Sequence, residues 1–303
     1  MSGVLGRGEG IPSLAAARPG WRERSSSRRV IALGATYAFL FLGICFILIP
    51  LVWMISTSLK DLGSVFLFPP QLIPNPLHWE NFPAGWTVMP FDLFLRNTLV
   101  LTLAAMVGQI ASCALVAFGF ARLRGKGSNV LFVLLLSTIM LPIYVTLIPT
   151  FILFKQVGWI DTFMPLIVPA YFGGSPFYVF LMRQFFMTIP LELDDAARVD
   201  GATTFDVFGR ICLPLAKPAL ATVAIFSFLG HWNDFLLPLI YLHSQENFTL
   251  AIGLNLFRAE QTSFTPWNQL MAVSLLVMIP PLLVFFFAQR LFIQGIVVSG
   301  VKG

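Results

Sequence analysis

Long runs without a charged residue are the feature that most restricts how this chain can fold. Largely apolar, uncharged windows occupy Val30–Leu59, Asn97–Ala121, Gly127–Phe154 and Thr162–Met182, with a fifth that begins at Pro218 and a sixth between Glu260 and Arg290. A helix of about 20 apolar residues crosses the hydrocarbon layer of a bilayer. Charged residues make up 11% of the 303 residues, whereas soluble domains carry about 25%. The sequence therefore predicts an all-α integral membrane fold with six transmembrane helices.

The distribution of lysine and arginine predicts the orientation of these helices. Fifteen of the nineteen basic residues fall in 1–29, 122–126, 183–217 and the C-terminal region after the sixth window. Basic residues concentrate on the cytoplasmic side of membrane proteins. We therefore expect both termini and the loop at 183–217 to be cytoplasmic, and the net charge of +5 to reflect topology rather than nucleic-acid binding. Residues 1–29 are predicted to be a flexible tail, and residues 30–303 the membrane domain.

The segment between the fourth and fifth windows, about 187–217, is unusually charged for a turn between membrane helices. Its acidic residues Asp194 and Asp195 precede Arg198 by four and three positions, a spacing at which side chains pair on a helix. Gly201 interrupts that helix, and a second one can begin near Thr203. The second helix is predicted to carry an apolar stripe made of Phe205, Phe208, Cys212 and Leu215.

Seven positions in this segment carry a family resemblance. Asp195-Ala196-Ala197, then Gly201 after three residues, then Ile211-x-Leu213-Pro214 after nine more resemble the cytoplasmic-loop signature of bacterial ABC importer permeases. That signature reads EAA, three residues, G, nine residues, I-x-LP. The departure is Asp195, where the family usually has glutamate. We call residues 187–217 the coupling segment.

Further motifs resemble one branch of that family, the carbohydrate-uptake permeases related to the smaller membrane subunit of the maltose transporter. They are Ser58-Leu59-Lys60, Phe68-Pro69-Pro70, Trp232-Asn233-Asp234-Phe235 and Val301-Lys302-Gly303. The resemblance implies a type I importer core in the bacterial inner membrane, paired with a second homologous permease. It also implies a cytoplasmic ABC ATPase dimer, which binds the ATP and Mg²⁺, and an extracytoplasmic sugar-binding protein. This chain would then be non-catalytic and hold no cofactor, in agreement with a sequence that lacks a G-x-x-x-x-G-K-[ST] phosphate loop.

The resemblance also implies roles for individual residues. Asp195 would pair with a basic group on the ATPase, Ala196 and Ala197 would permit close packing, and Phe205 and Phe208 would be apolar anchors. The predicted coupling site is completed by Arg198, Asp200, Gly201, Ile211, Leu213 and Pro214. A purely local role remains open at this stage, in which Asp194 and Asp195 pair with Arg198 and favour the helix start, where the dipole attracts negative charge.

Two features inside the predicted spans are candidates for a solute path or for helix packing. Trp232, Asn233 and Asp234 are predicted to lie near the outer end of the fifth helix, where an ionisable group is a functional candidate but can equally be an interfacial cap or a packing hydrogen bond. Residues 173–176, Gly-Gly-Ser-Pro, allow a kink or a close helix approach in the fourth span.

Other classes of protein fit less well. A secondary transporter driven by an ion gradient would need charged or unwound sites near the midplane and internal repeats, which the windows lack. A membrane enzyme would need a convergent catalytic set, and the three histidines and three cysteines are scattered. A type I importer for a non-sugar solute shares the loop signature and stays open as the alternative.

Overall fold

The computed structural model describes residues 20–123, 125–260 and 265–300, and their regular structure is helical throughout. The α-helices are α1 (Gly20–Ser58), α2 (Asn81–Val88), α3 (Phe91–Arg122), α4 (Ser128–Ser137), α5 (Ile143–Gln156), α6 (Met164–Ile167), α7 (Pro176–Thr188), α8 (Leu191–Val199), α9 (Thr204–Asp206), α10 (Leu213–Leu215), α11 (Lys217–Trp232), α12 (Leu236–Tyr241), α13 (Leu250–Glu260) and α14 (Trp267–Gly300). Short 3₁₀ turns occupy Leu62–Ser64, Thr138–Met140, Val168–Tyr171 and Gln245–Asn247, and Val207–Cys212 forms a π-helix.

Among the described residues, four helical stretches are long and apolar enough to cross a membrane: Ala32–Ser58, Phe91–Arg122, Met164–Thr188 and Trp267–Gln289. Two further stretches are bent pairs of helices. Ser128–Met140 and Ile143–Gln156 meet at 98°, and Thr204–Leu215 and Lys217–Trp232 meet at 77°. The predicted all-α membrane fold is confirmed. The predicted number of six spans is reached when each bent pair is counted as one.

Several predicted boundaries differ from the structure. Helix α1 begins at Gly20, inside the predicted tail, while the first nineteen residues lie outside the described part. Helix α3 begins at Phe91 and continues through the exposed Arg96, so this charge does not end the helix. The predicted third span is interrupted at Leu141-Pro142, where Pro142 is the N-cap of α5. Proline lacks the N–H that would continue the preceding helix and disfavours α geometry at the residue before it.

By contact, the chain divides into residues 1–53 and residues 54–303. Within the second unit, α3 packs against α7, α11, α13 and the 3₁₀ turn at Val168–Tyr171. At the end of α3 that carries Arg122, Phe118 belongs to a core cluster with Val179 and Met182 of α7 and Val223 of α11. Helix α3 is thus the central packing element of this unit.

The fourth span contains the predicted irregularity and close approach. Helix α7 starts at Pro176 after Gly173, whose φ is +77°. At Gly174 a Cβ atom would lie 2.9 Å from the Cα of Ala170 and 2.9 Å from Nε2 of Gln109. Since that spacing is too short for a side chain, the backbone at Gly174 lies close against the preceding turn and the Gln109 side chain of α3, as small residues permit. The prediction for residues 173–176 is confirmed.

Candidate functional site

The coupling segment folds as a helix, a glycine turn and a second helical run. Helix α8 ends at Val199, and Gly201 follows with a φ of +85°, a left-handed conformation that glycine adopts without a steric penalty. The second run begins with a capping box, in which the Thr203 hydroxyl accepts from the backbone N–H of Asp206 and the Asp206 carboxylate accepts from that of Thr203. The predicted glycine turn and helix start are confirmed.

The inner side of α8 is attached to α3 through Arg122, one of the basic residues that the sequence analysis counted only for the orientation of the helices. Asp194 is 4% exposed, and its Oδ2 atom lies 3.6 Å from Nε of Arg122. Nη2 of Arg122 also donates to the carbonyl of Ile189 at 2.8 Å. Asp194 therefore pairs with Arg122, and the predicted local pair with Arg198 is wrong for this residue.

The opposite side of α8 faces away from the chain's own core. Asp195, Ala196, Arg198 and Asp200 are exposed, and Val199 is 88% exposed. Ala197 differs from its neighbour, because it is half-buried against the core cluster that contains Phe118. The short side chain at 197 consequently lets α8 lie close to the rest of this chain, whereas the side of α8 around Asp195 is open.

The second helical run does not form the predicted single stripe. Phe205 is 77% exposed and Leu215 is also exposed, whereas Cys212 is fully buried. Phe208 packs on the ring of Phe118, with 5.0 Å between ring centroids. The reason is the π-helix, in which the Leu213 N–H donates to the carbonyl of Phe208. A π-turn changes the angular step between residues. Phe208 and Cys212 within it share the core cluster of Phe118, whereas Phe205 before it and Leu215 after it are exposed.

The remaining predicted residues of the coupling segment lie around this π-helix. Ile211 and Leu213 are half-buried, and Pro214 is exposed within α10. Their role toward an ATPase stays a prediction.

The predicted path residues lie at the end of α11, and their contacts are those of packing and capping. Trp232 is 3% exposed, stacks on Phe228 at 5.4 Å and donates its indole N–H to the carbonyl of Val277. Asn233 donates its side-chain amide to Leu229, one turn earlier. Asp234 lies beyond the last residue of α11, so its predicted place inside that helix is wrong. Its carboxylate accepts from the backbone N–H of Leu237 at 3.4 Å.

A carboxylate that the sequence analysis missed fixes the loop before α13. Asp161 has a φ of +60°, which is uncommon for a residue other than glycine. Its carboxylate accepts from the backbone N–H groups of His243 and Ser244 at 2.9 Å, from the Ser244 hydroxyl and from the Asn247 amide. The Ser244 hydroxyl and these further donors hold the pKa of Asp161 well below its usual range. Since the bonded residues are over eighty positions away, no local pattern identifies this site.

Comparison with known proteins identifies matches that cover most of the chain. The family model described as "Binding-protein-dependent transport system inner membrane component" matches residues 109–298. The sn-glycerol-3-phosphate transport system permease protein UgpE of Yersinia pestis bv. Antiqua (strain Antiqua) is 36% identical over 270 residues, which are 87% of this chain and 95% of that protein. The probable ABC transporter permease protein YurM of Bacillus subtilis (strain 168) is 32% identical over 282 residues, 92% of this chain and 93% of that protein.

Two solved structures share the fold. One is a bacterial ABC transporter involved in the import of the acidic polysaccharide alginate, with a TM-score of 0.77, 22% identity and coverage of 87% of this chain and 97% of that one. The other is a bacterial alginate ABC transporter in complex with an alginate pentasaccharide-bound periplasmic protein, with a TM-score of 0.65, 16% identity and coverage of 87% and 95%. At these identities the likeness describes the fold alone.

Proposed function

Because the chain belongs to the family of binding-protein-dependent transport system inner membrane components, we propose that it forms, with a second homologous permease, the membrane path of an ABC importer for a sugar or a related polyol or sugar phosphate. A separate ATPase dimer drives import, and an extracytoplasmic binding protein delivers the solute. The 36% identity to an sn-glycerol-3-phosphate permease across 87% of this chain is the observation that carries this proposal.

The geometry of the coupling segment supports docking of an ATPase at α8. Its outer face combines charge, from Asp195 and Arg198, with the apolar side chains of Val199 and Phe205. Exposed apolar side chains rimmed by charged ones are typical of a protein interface. The basic residues near this segment favour a cytoplasmic location, where an ABC ATPase is available.

The proposed substrate class rests on the named relative and not on a solute site in this structure. Trp232 is buried, Asn233 donates to the carbonyl of Leu229 one turn earlier, and Asp234 accepts from the backbone N–H of Leu237. We therefore assign the solute-contacting surface to the assembled pair of permeases, in which both chains line the path between them.

Reconstitution tests the proposed function. The complex of this chain with its co-purifying permease and ATPase is placed in proteoliposomes that contain ATP in their lumen, which corresponds to the cytoplasm. Uptake of sn-glycerol 3-phosphate, maltose and methionine is then compared in the presence of the cognate binding protein. We expect accumulation of a phosphorylated polyol or a sugar that requires ATP and the binding protein. Accumulation of methionine would indicate the non-sugar importer, and uptake driven by an ion gradient without ATP would contradict the proposal.

The control for this experiment is the same complex with an ATPase whose phosphate-loop lysine is replaced by alanine. Since that lysine contacts the phosphates of bound ATP, the control complex should assemble normally and fail to accumulate the solute. Equal uptake by the two complexes would show that ATP hydrolysis does not drive the transport.

A further inference from the structure

Arg122 is the last residue of α3, yet its side chain is only 2% exposed. Its guanidinium group joins α3 to the start of the coupling segment in two ways, through the carbonyl of Ile189 at 2.8 Å and through the carboxylate of Asp194 at 3.6 Å. The Asp194 side chain is 6% exposed. Among the described residues, both polar links between α3 and residues 189–194 come from this one arginine.

Stability alone does not account for this buried pair. Removing two charges from water is costly, and apolar residues of similar volume often stabilise a protein as well as a buried ion pair does or better. The pair is also incompletely bonded, because Nε of Arg122 and Oδ1 of Asp194 have no hydrogen-bond partner. A charge-assisted hydrogen bond measures about 2.7–2.9 Å, so a small displacement of α8 would shorten the 3.6 Å contact into one.

The Arg122–Asp194 pair also lies between the exposed face of α8 and α3, the most extensively packed of the described spans. On one side, Asp195, Arg198 and Val199 of α8 are exposed. On the other, α3 packs along α7 and α11. A displacement applied to the open face of α8 therefore reaches α3 through the guanidinium of Arg122, in addition to the apolar packing of Ala197 and Phe208 on the cluster that contains Phe118. From α3 it reaches the neighbouring spans.

We propose that Arg122 and Asp194 are positioning residues that transmit movement of α8 to α3 during transport, an inference that rests on the proposed function. Docking and closure of the ATPase shift α8, the Asp194 carboxylate pulls on Arg122, and α3 moves with it. The charges serve this transmission rather than the stability of the resting state. An apolar replacement of both residues keeps α8 in place and leaves it able to slide relative to α3.

The test uses the full complex in proteoliposomes, with ATP hydrolysis and solute accumulation measured on the same sample. The main variant combines Arg122→Met with Asp194→Leu, which removes both buried charges together. We expect this variant to assemble and hydrolyse ATP, while the number of solute molecules accumulated per ATP falls by about fivefold or more, the lower range of typical coupling between sites. Arg122→Lys, which keeps the charge and loses the planar fork, should give an intermediate ratio.

The matched control is Arg96→Met, because Arg96 is an exposed arginine on the same helix, and its ratio should equal that of the wild type. A wild-type ratio in the double apolar variant would overturn the inference. If that variant does not fold, Asp194→Asn provides the second test, since it removes the charge and keeps the volume, and a wild-type ratio there would overturn the inference equally. Absence of ATP-driven uptake in the wild-type complex would instead contradict the proposed function, and the inference with it.

Discussion

Gly201 shows at the residue scale why the coupling segment has its shape. Its φ of +85° is left-handed, and a Cβ atom added to it would meet no atom within 4 Å. A substitution at this position is therefore opposed by backbone strain and not by crowding. Left-handed geometry costs a non-glycine residue about 1–2 kcal/mol.

Gly201→Ala is accordingly expected to lower the free energy of unfolding by about 1–2 kcal/mol and to weaken retention of the ATPase during purification. Gly230→Ala is the control, because Gly230 lies in open space within α11 without a positive φ. Thermal unfolding of the two purified variants measures the difference. Equal unfolding temperatures would show that the left-handed turn does not oppose a side chain at position 201.

The hydrogen bonds of Asp161 predict that loss of its charge loosens the loop before α13. Asp161→Asn keeps a residue that tolerates the left-handed conformation but removes the charge that holds the amides of His243 and Ser244. Hydrogen–deuterium exchange at those two amides should become several-fold faster. Asp92→Asn, which removes a carboxylate bonded to Trp86 instead, should leave exchange at both amides unchanged, and an equal effect of the two variants would exclude a specific role for Asp161.

The same carboxylate predicts a pH dependence with a definite sign. Its folded-state pKa lies below the ordinary value for aspartate, which is about 3.9. The stabilisation is therefore fully present above the ordinary value and is lost as the pH falls through the lower folded-state pKa. Exchange at the amides of His243 and Ser244, corrected for its intrinsic pH dependence, should accordingly stay constant between neutral and mildly acidic pH.

At the scale of elements, the packing of α3 against the Val168–Tyr171 turn depends on a missing side chain. A Cβ atom on Gly108 would lie 2.7 Å from Cγ of Tyr171, whereas one on Gly119 of the same helix meets nothing within 4 Å. Gly108→Ala should therefore destabilise the protein by about 1–3 kcal/mol, the typical cost of overpacking, and Gly119→Ala should not destabilise it. Thermal unfolding distinguishes them, and equal losses would contradict the close approach.

The two phenylalanines of the second helical run are expected to act differently. Phe205→Ala should weaken association with the ATPase and leave the unfolding temperature unchanged, because its side chain is 77% exposed. Phe208→Ala should lower the unfolding temperature, because its ring packs on Phe118. Thermal unfolding and ATPase retention are measured on both variants. A lower unfolding temperature for Phe205→Ala would show that its side chain is part of the fold.

The elements that sequence predicts well are those set by neighbouring residues. The turn at Gly201 and the helix start at Thr203 follow from local backbone chemistry, and both are present. The Arg122–Asp194 pair joins residues over seventy positions apart, so the local spacing to Arg198 suggested the wrong partner. Pro142 is a local sequence signal for the interruption before α5. Pro149, however, lies inside α5 without ending it, so a proline alone does not decide between a break and a continuous helix.

At the scale of the whole molecule, the attachment of the coupling segment to α3 distinguishes this chain from a membrane protein that only crosses the bilayer. The coupling segment is tied to α3 on its inner side by Arg122 and Asp194, and on its outer side it presents Val199 and Phe205. This arrangement places an exposed face that carries apolar side chains next to the central span. We propose that the coupling segment transmits movement of a separate ATPase to the membrane domain.

Site-specific photo-crosslinking in native membranes tests whether an ABC ATPase docks on the coupling segment. A photoreactive amino acid is placed at position 205, which is exposed, and in a second variant at position 133, where Val133 is exposed on α4. We predict that position 205 crosslinks to a polypeptide with an ABC-ATPase phosphate loop and that position 133 does not. Crosslinks from position 205 to membrane proteins alone, with no ATPase recovered, would contradict the account.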